Sequence, residues 1–468
     1  MKNKTKFLLA LSLIAMLAVL FAISVSATAP VKTWDISATS SDSVTAYLYN
    51  DPNNSGMYTL TISGTGNMKD WSLNLAQAAP WYSSYNSKII SVTIEDEVTS
   101  IGDAAFYCFT SLVSVVIPDS VTSISDYMFY KCASLTNVTI PDSVTSIGYC
   151  AFINCTSLSS VTIPNNVTSI GSSAFSGCTG LSNVTIPNNV MSIGSSAFRG
   201  CTSLVSITVK ESNTSYKSLD GNLYSYDGKI LIQYAIGRIE SSFEFPEGVT
   251  SIGNSAFSNC SNLTSIAIPE GVTSIGNSAF ANCSNLTSIV IPEGVTSIGD
   301  KTFYYCNSLT IYCELESQPS GWSSSWNSSN RPVVWDYKNT IQSEIFTFKG
   351  YSFNEAGSIA IGFDIDYEVI RLYEELTGKT LEYGAMFADY MALDGKQPHE
   401  VEEKIVFGLN DYNYLQYDFV VSDLTEEYYD YQMVIAAYIY DGEVTKYVQA
   451  NGLSDTVTGV TYNEAKGA

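Results

Sequence analysis

The sequence predicts a β-rich repeat solenoid with a parallel sheet, followed by an antiparallel β-sandwich domain. The first observation is a 23-residue phrase, VTSIGYCAFINCTSLSSVTIPNN in its third copy, that returns along the chain. Its eight starts are Val98, Val121, Val144, Val167, Val190, Val249, Val272 and Val295. A fixed period of this length is typical of a solenoid. The second observation is that the period ends after Cys313, where short β-rich runs replace it.

Alternation within the phrase separates core residues from surface residues. In the fourth copy, Leu181 and Ile186 have the spacing of an inward strand face, and Asn183 and Thr185 then point outward. One coil cannot bury its apolar face alone, whereas stacked coils bury a continuous core. Gly171 is expected at a turn that other residues would strain.

The beginning of the chain is expected to be a cleaved signal peptide. Lysines precede an uncharged run from Phe7 to Ile23, and small residues between Ser26 and Ala29 supply a cleavage site. The run is also long enough to remain as a membrane anchor, but the small residues favour its removal. The mature protein is then expected to be secreted or held at a cell surface, with no membrane insertion after cleavage.

Four segments are predicted. They are residues 1–27 (signal peptide), 28–97 (N-terminal β capping region), 98–336 (solenoid, with a hairpin insert at about 213–248) and 341–468 (β-sandwich of the immunoglobulin or fibronectin type). A cap is expected because the first coil of a solenoid has an exposed apolar end. The β-sandwich is expected from the spacing of short β-rich runs, with one short helix near residues 368–376.

The charge balance excludes two classes of partner. The formal net charge is −24 at pH 7. A chain this acidic repels nucleic acid and anionic lipid. Neither is therefore expected to bind.

The spacing of the cysteines predicts a ladder of buried thiols. Ten cysteines in an exported protein would usually indicate disulfides. Seven of them hold the twelfth place of a copy: Cys132, Cys155, Cys178, Cys201, Cys260, Cys283 and Cys306. Equivalent residues of stacked coils lie about 4.8 Å apart, so disulfides between coils are an alternative. Phe109 fills the same place in the first copy, which favours an apolar place and free thiols.

The period breaks between Val190 and Val249, where an additional segment is inserted. It contains Asp227-Gly228 between two alternating runs, which is a strong hairpin signal. We expect a β-hairpin that projects from one coil. Its candidate aromatic anchors for a partner are Tyr216, Tyr224, Tyr226 and Tyr234, and the alternative is that these rings pack on the solenoid.

The motif VTSIGxxAFxxCxxLxxVxIPxx resembles the BspA-type leucine-rich repeats of exported and surface proteins. Residues 181–186 have the L-x-x-L-x-L form of such a repeat, and the resemblance covers roughly residues 55–336. It implies a curved solenoid used for adhesion or protein binding at cell surfaces, without catalysis. It implies no particular ligand, because members of the family differ in what they bind.

The outward strand positions are the first candidate binding site. They are Asn137, Thr139, Ser160, Thr162, Asn183, Thr185, Ser206 and Thr208. Small residues make a flat surface, which suits a large protein or glycan and is typical of repeat proteins that bind. The alternative is that small polar residues merely allow tight stacking of the coils.

A calcium site is the second candidate. Asp364, Asp366 and Glu368 alternate along one run, so a strand would place all three carboxylates on one face. Carboxylate oxygens are the ligands that calcium prefers. The alternative is a solvated acidic strand face, and no other cofactor is expected.

Catalysis is not expected. His399 is the single histidine and lies in a polar stretch, whereas a Ser-His-Asp relay or a zinc protease motif needs histidine in a structured pocket. The cysteine ladder lacks an adjacent base. A carboxylate pair of the glycosidase kind is the enzymatic alternative that the residues leave open.

The function predicted from these observations is non-catalytic binding of an extracellular protein or glycan by the solenoid. One alternative is a carbohydrate-binding or carbohydrate-processing accessory protein that uses its C-terminal module. A second alternative is a spacer that holds this module away from a surface. Oligomeric state does not follow from the sequence.

Overall fold

The computed structural model describes residues 29–338 and, after them, residues 346–353, 359–365, 367–379, 382–389, 405–408, 416–421, 432–440, 445–449, 452–454 and 460–461. The predicted signal peptide and His399 lie outside these residues. Contacts divide the chain into two units. The first runs to Ser288 and includes Gly294–Leu309 and Pro319–Arg331, and the second comprises Ile289–Glu293, Thr310–Gln318 and Pro332–Ala468.

A β-meander precedes the repeats. Strands β1 (Lys32–Asp35), β2 (Ser43–Asn50) and β3 (Tyr58–Asn67) pair antiparallel, and β4 (Ile89–Ile94) pairs parallel to β3. A 3₁₀ turn (Leu75–Gln77) and the short helix α1 (Tyr82–Tyr85) connect β3 with β4. Trp81 beside α1 is fully buried, and its Nε1 donates to the carbonyl of Ala105 at 2.9 Å. This indole therefore packs against the first coil, and a capping role of the meander stays a prediction.

The first five coils have the strands β5 (Val98–Ser100), β6 (Ser114–Val116), β7 (Ser123–Ile124), β8 (Asn137–Thr139), β9 (Ser146–Ile147), β10 (Ser160–Thr162), β11 (Ser169–Ile170), β12 (Asn183–Ile186), β13 (Ser192–Ile193) and β14 (Ser206–Val209). Strands β5 and β6 of the first coil pair parallel with β3 and β4. The second to fifth coils form two parallel sheets. One sheet has the order β14-β12-β10-β8, and the other has the order β13-β11-β9-β7. Equivalent residues of successive copies are partners, such as Ser169 with Ser146, so the parallel solenoid predicted from the period is confirmed.

A third side of each coil is made by the sixth to eleventh residues of the phrase. The seventh and eleventh residues have positive φ, for example 55° at Tyr127, 56° at Ser173 and 73° at Gly177. The N–H groups of Ser173, Phe175 and Gly177 donate to carbonyls of the next copy at 3.0, 2.8 and 2.8 Å. Backbone hydrogen bonds therefore join neighbouring coils on this side as well.

Glycine in the fifth place is explained by close approach rather than by a strained turn. A Cβ added to Gly171 would lie 2.6 Å from the carbonyl carbon and oxygen of Gly148 in the preceding copy. Gly171 does not have a positive φ, so the expected turn strain was the wrong reason. Absence of a side chain lets the two coils approach.

A column of stacked phenylalanine rings fills the core. It contains Phe106, Phe129, Phe152, Phe175 and Phe198, all nearly or fully buried. Successive ring centroids lie 5.5, 5.2, 5.2 and 5.6 Å apart, and the interplanar angle falls from 28° to 2° along the column. Phe257, Phe280 and Phe303 repeat the arrangement in the later copies.

The predicted thiol ladder is confirmed. All ten cysteines are free, and the seven ladder residues are fully buried. The Sγ of Cys178 donates to the carbonyl of Phe152 at 3.1 Å, and Cys132, Cys155, Cys201, Cys283 and Cys306 make the same contact in their own copies. The thiols therefore serve as small core residues with a satisfied donor.

A thiol titration tests this ladder. Denatured without reductant, the chain should react with Ellman's reagent at ten thiols, because all ten are free. In the folded protein only Cys108, which is half-buried, should react quickly. A denatured count well below ten would show disulfides and contradict the ladder.

The insert forms three antiparallel strands. They are β15 (Tyr216–Leu219), β16 (Asn222–Ser225) and β17 (Ile230–Gln233). The predicted hairpin corresponds to β16 and β17, joined across Asp227-Gly228. It does not project, because β17 continues as a parallel partner of the next strand, with Ile230 opposite Ser251.

The later copies rebuild the solenoid pattern. Their strands are β18 (Ser251–Ile252), β19 (Ser265–Ala267), β20 (Ser274–Ile275), β21 (Ser288–Ile291), β22 (Ser297–Ile298), β23 (Thr310–Cys313) and β24 (Val333–Val334). Strands β18, β20 and β22 pair parallel in the first unit. In the second unit β23 pairs parallel with β24.

The chain after Lys338 changes to antiparallel pairing. Its strands are β25 (Phe346–Phe353), β26 (Ile359–Ile365), β27 (Glu382–Asp389), β28 (Ile405–Gly408), β29 (Gln416–Val421), β30 (Gln432–Tyr440), β31 (Thr445–Gln449), β32 (Gly452–Ser454) and β33 (Val460–Thr461). Sheets β25-β26-β29 and β28-β27-β30-β31-β32, with β33 on β30, are both antiparallel. A β-sandwich built from them stays a prediction.

The short helix predicted near residues 368–376 is present as α2 (Tyr367–Thr377). It buries Ile370 and Tyr373, three residues apart on one face. Within the described residues, neither this helix nor the shorter α1 has the length and apolar content needed to cross a membrane.

Candidate binding surfaces of the solenoid

The structure brings the eight predicted strand residues together on one exposed face. Ser160 lies between Asn137 and Asn183, and Thr162 lies opposite Thr139. Asn183 and Thr185 continue the two rows as partners of Ser206 and Thr208. All eight are exposed except Ser206, which is half-buried. We call this set, with residues 137–139, 160–162, 183–185 and 206–208 as its strands, the strand face.

Side-chain hydrogen bonds distinguish the strand face from polar residues whose side chains join one coil to the next. Elsewhere in the phrase, hydroxyls donate to the carbonyl of the preceding copy, for example Thr168 Oγ1 to Thr145 at 3.2 Å and Thr179 Oγ1 to Thr156 at 3.3 Å. On the strand face, Asn183 contacts Ser182, and the threonine hydroxyls have no hydrogen-bond partner within the described residues. Their donors and acceptors therefore remain available to a partner.

The tyrosines of the insert do not form one surface. Tyr224 and Tyr234 are 0% and 1% exposed, so these two pack in the solenoid and cannot serve as the predicted anchors. Tyr216 is half-buried, and its hydroxyl accepts from the N–H of Ile193 at 2.8 Å. Tyr226 is 57% exposed and is the one tyrosine of the four that a partner could reach fully.

Two of the cavities in the first unit lie where the period breaks. The smaller, about 120 Å³, lies between the copies that start at Val190 and Val249, and side chains join these two copies beside it. Ser196 Oγ donates to Ser255 Oγ at 2.9 Å, and Arg199 Nε donates to Ser258 Oγ at 3.1 Å. The larger, about 420 Å³, is an open cleft at the end of the strand face.

The open cleft has a charged and an apolar wall. Arg238 pairs with Asp220 at 3.0 Å and with Glu240 at 3.1 Å. Ile239 is 90% exposed, and Val205, directly before β14, is 46% exposed. The cleft therefore extends the polar strand face with a small apolar area.

The predicted calcium site is not supported, because its premise is wrong. Strand β26 ends at Ile365, and Glu368 lies in the first turn of α2. The carboxylate of Glu368 contacts Arg371 at 3.2 Å and is largely exposed. Asp366 lies outside the described residues, and Asp364 pairs with Thr347 and Gln416 in the sheet. Among described residues, no three His, Cys, Asp or Glu side chains are grouped to hold a metal ion.

The ladder thiols are not arranged for nucleophilic chemistry. Burial raises the pKa of Cys201 to about 12 and that of Cys260 to about 11. A reactive thiolate needs a lowered pKa and access to solvent. All seven ladder cysteines are fully buried and have no such access.

Sequence reasoning missed a tyrosine cluster on the third side of the first coils. The rings of Tyr107 and Tyr130 stack at 4.9 Å, and Tyr82 extends the stack at 5.5 Å from Tyr107. Tyr127 lies 5.1 Å from Tyr149, which is 43% exposed. The signal was present in the variable places of the phrase, where these copies have tyrosine and the fourth copy has serine.

A line of carboxylates adjoins this cluster. Oδ1 of Asp70 accepts the N–H of Asp103 at 3.0 Å, and Oδ1 of Asp103 accepts the N–H of Asp126 at 3.0 Å. Oδ1 of Asp126 accepts the N–H of Tyr149 at 2.7 Å, so the line ends at the cluster. Burial and then the charges of Asp70 and Asp126 raise the pKa of Asp103. The local potential is therefore negative.

Comparison with known proteins agrees with the repeat architecture. The family described as BspA type Leucine rich repeat region matches residues 80–205 and 237–324, in 6 copies. The search of curated proteins gives no match.

Solved structures of bacterial leucine-rich repeat proteins are similar to this chain. A leucine-rich repeat protein from Eubacterium ventriosum is 28% identical over 65% of this chain and 78% of its own, with a TM-score of 0.51. A leucine rich cell surface protein from Faecalibacterium prausnitzii is 28% identical over 61% and 89%, with a TM-score of 0.42. The pneumococcal vaccine antigen PcpA is 20% identical over 66% and 86%, with a TM-score of 0.47.

The period, the stacked phenylalanine and thiol columns and the matched repeats agree with one another. Residues 80–205 and 237–324 of this chain match the BspA-type leucine-rich repeats.

Proposed function

We propose that this protein is an exported, non-catalytic binding protein whose solenoid holds an extracellular protein or glycan on its strand face. The observation that carries the proposal is the strand face itself. Four paired strands present small polar residues in register, and the hydroxyls of its threonines are not used for stacking. A flat, polar and extended surface fits a macromolecule better than a small molecule, which needs a concave site.

Three further features support the proposal. BspA-type repeats occur in surface proteins, and a similar structure from Faecalibacterium prausnitzii is described as a cell surface protein. The predicted signal peptide provides a route for export. The seven ladder thiols are fully buried in the core and serve packing.

Binding of purified macromolecules tests the proposal. The mature chain, residues 28–468, is immobilised and probed with a panel of extracellular matrix proteins and glycans. We expect saturable retention of at least one of them, with no change in its mass or chain length after prolonged incubation. If no panel member were retained, or if a retained glycan were cleaved, the non-catalytic binding function would be contradicted.

A further inference from the structure

On the third side of the solenoid, the first coils have different side chains from the later coils. Its sixth, seventh and tenth places hold Tyr149, Tyr127 and Tyr130, whereas the fourth copy has Ser172, Ser173 and Ser176. Tyr127 and Ser173 have nearly the same backbone φ, 55° and 56°. The fold is therefore made equally well by serine.

Tyrosine is an unfavourable choice for this backbone. A bulky non-glycine residue with positive φ is uncommon, since its Cβ crowds the backbone. Every copy of the phrase has a positive φ at this place, so the conformation itself belongs to the coil. The aromatic ring at Tyr127 is thus not explained by the needs of the coil, and its contact with Tyr149 places it at the surface of the cluster.

The surface already holds a cation on an aromatic ring. The Nζ of Lys131 lies 5.3 Å from the ring centroid of Tyr130. This distance is within the range of a cation–π contact. The faces of Tyr107 and Tyr130 are occupied by each other, which disfavours stacking of a sugar ring between them.

Negative charge lies beside the rings. Asp103 and Asp126 each use one carboxylate oxygen for the backbone of the next copy, and both side chains are half-buried rather than buried. Neither carboxylate has a salt bridge to a cation within the described residues. The aromatic rings and the carboxylates together form a surface complementary to a positively charged group.

We propose that Tyr107, Tyr127, Tyr130, Tyr149, Asp103 and Asp126 form a binding surface for an arginine- or lysine-rich segment of another protein. We call it the tyrosine–aspartate surface. It is made by residues other than those of the strand face, so it goes beyond the function proposed above. Cationic side chains contact the rings of Tyr127 and Tyr149, which lie beside the occupied stack of Tyr107 and Tyr130, and pair with the two carboxylates.

Substitution of tyrosines tests the surface without changing charge. The probe is a fluorescein-labelled peptide of alternating arginine and serine, added to the mature chain and followed by fluorescence anisotropy. The double variant Tyr127→Ser with Tyr149→Ser copies the fourth repeat and should weaken binding at least about tenfold. The control, Tyr226→Ser with Tyr305→Ser, removes two tyrosines that are 57% and 53% exposed and should change binding less than about twofold.

Substitution of carboxylates distinguishes binding at this surface from general attraction of the peptide to the acidic protein. Asp103→Asn with Asp126→Asn keeps an oxygen for the backbone contact, as Asn254 does toward the N–H of Asn277 at 2.8 Å. It should weaken binding by about tenfold or more, whereas the exposed pair Asp119→Asn with Asp142→Asn, with the same charge change, should have a much smaller effect. Equal effects of the two pairs would overturn the proposal, as would unchanged binding by the tyrosine variant. Equal affinity for a glutamine–serine peptide would also overturn it.

Discussion

Replacing Phe175 with alanine should lower the free energy of unfolding by about 3–5 kcal/mol. The side chain is 0% exposed, and its ring stacks on Phe152 at 5.2 Å and on Phe198 at 5.6 Å. Removing it creates a cavity between rigidly spaced coils, which cannot close up because backbone hydrogen bonds fix their separation. It also removes two stacked aromatic contacts.

Urea unfolding followed by circular dichroism measures this effect. Met191→Ala is the matched control, because Met191 is 66% exposed and should change stability by no more than about 0.5 kcal/mol. A loss below about 1 kcal/mol for Phe175→Ala would mean that the column does not contribute as a buried core. Since each coil contacts its neighbours, the variant should also lower the cooperativity of the transition.

Raising the pH above the ordinary thiol pKa of 9.0 should destabilise the solenoid strongly. Burial raises the pKa of Cys201 to about 12 and of Cys260 to about 11, and it also raises that of Cys132, Cys155, Cys178 and Cys283. The unfolded chain loses these protons near pH 9, whereas the folded chain keeps them. The unfolded state therefore binds fewer protons in this window, and stability falls as pH rises.

The size of the alkaline effect follows from the number of thiols. Each thiol whose pKa is raised by burial lowers the unfolding free energy by about 1.4 kcal/mol per pH unit between its unfolded and folded pKa values. Cys306 is not among them, because its hydrogen bond with Cys283 lowers its pKa. The stability conferred by the protonated ladder is fully present below pH 9 and is lost progressively toward pH 12. Buried tyrosines such as Tyr234, whose pKa burial raises to about 12, add to the loss at the upper end.

A variant isolates the contribution of one thiol. Between pH 10 and 11, Cys201→Ala should have a stability slope shallower than wild type by about 1.4 kcal/mol per pH unit, although its stability at pH 7 is lower. Met191→Ala should keep the wild-type slope. Parallel slopes for wild type and Cys201→Ala would contradict a buried, protonated Cys201.

The 23-residue period alone was sufficient to predict the solenoid, because each coil repeats the same arrangement of core and surface residues. The cysteine at the place of Cys178 and the phenylalanine at the place of Phe175 recur in nearly every copy. A residue type that recurs in stacked coils forms a column, and an apolar column is expected in the core. The insert was harder to interpret. Asp227-Gly228 correctly indicated β16 and β17, but the pattern could not show that β17 joins the sheet and buries Tyr224.

Other errors arose where a local pattern fitted two structures. The run around Asp364 alternates as a strand does, yet helix α2 begins at Tyr367. Glu368 therefore lies on a helix and not on the same strand as Asp364. Gly171 suggested backbone strain, but the reason is contact with Gly148 of a neighbouring coil, which only the stacked structure reveals. Tyr127 belongs to a variable place of the phrase, and its significance depends on rings from other copies.

The central claim is that the strand face binds the partner. For a macromolecule retained from the panel, affinity is measured for two double variants that add the same charge. Asn137→Arg with Asn183→Arg places arginines on the strand face, separated by Ser160 so that they do not repel each other as direct neighbours. Asn165→Arg with Asn188→Arg places them at exposed turn positions after the strands.

Surface plasmon resonance on the mature chain gives the deciding comparison. The strand-face variant should lose affinity by at least about tenfold, because a long charged side chain blocks a flat contact, and the turn variant should stay within about twofold of wild type. Equal affinity of both variants and wild type would contradict binding through the strand face.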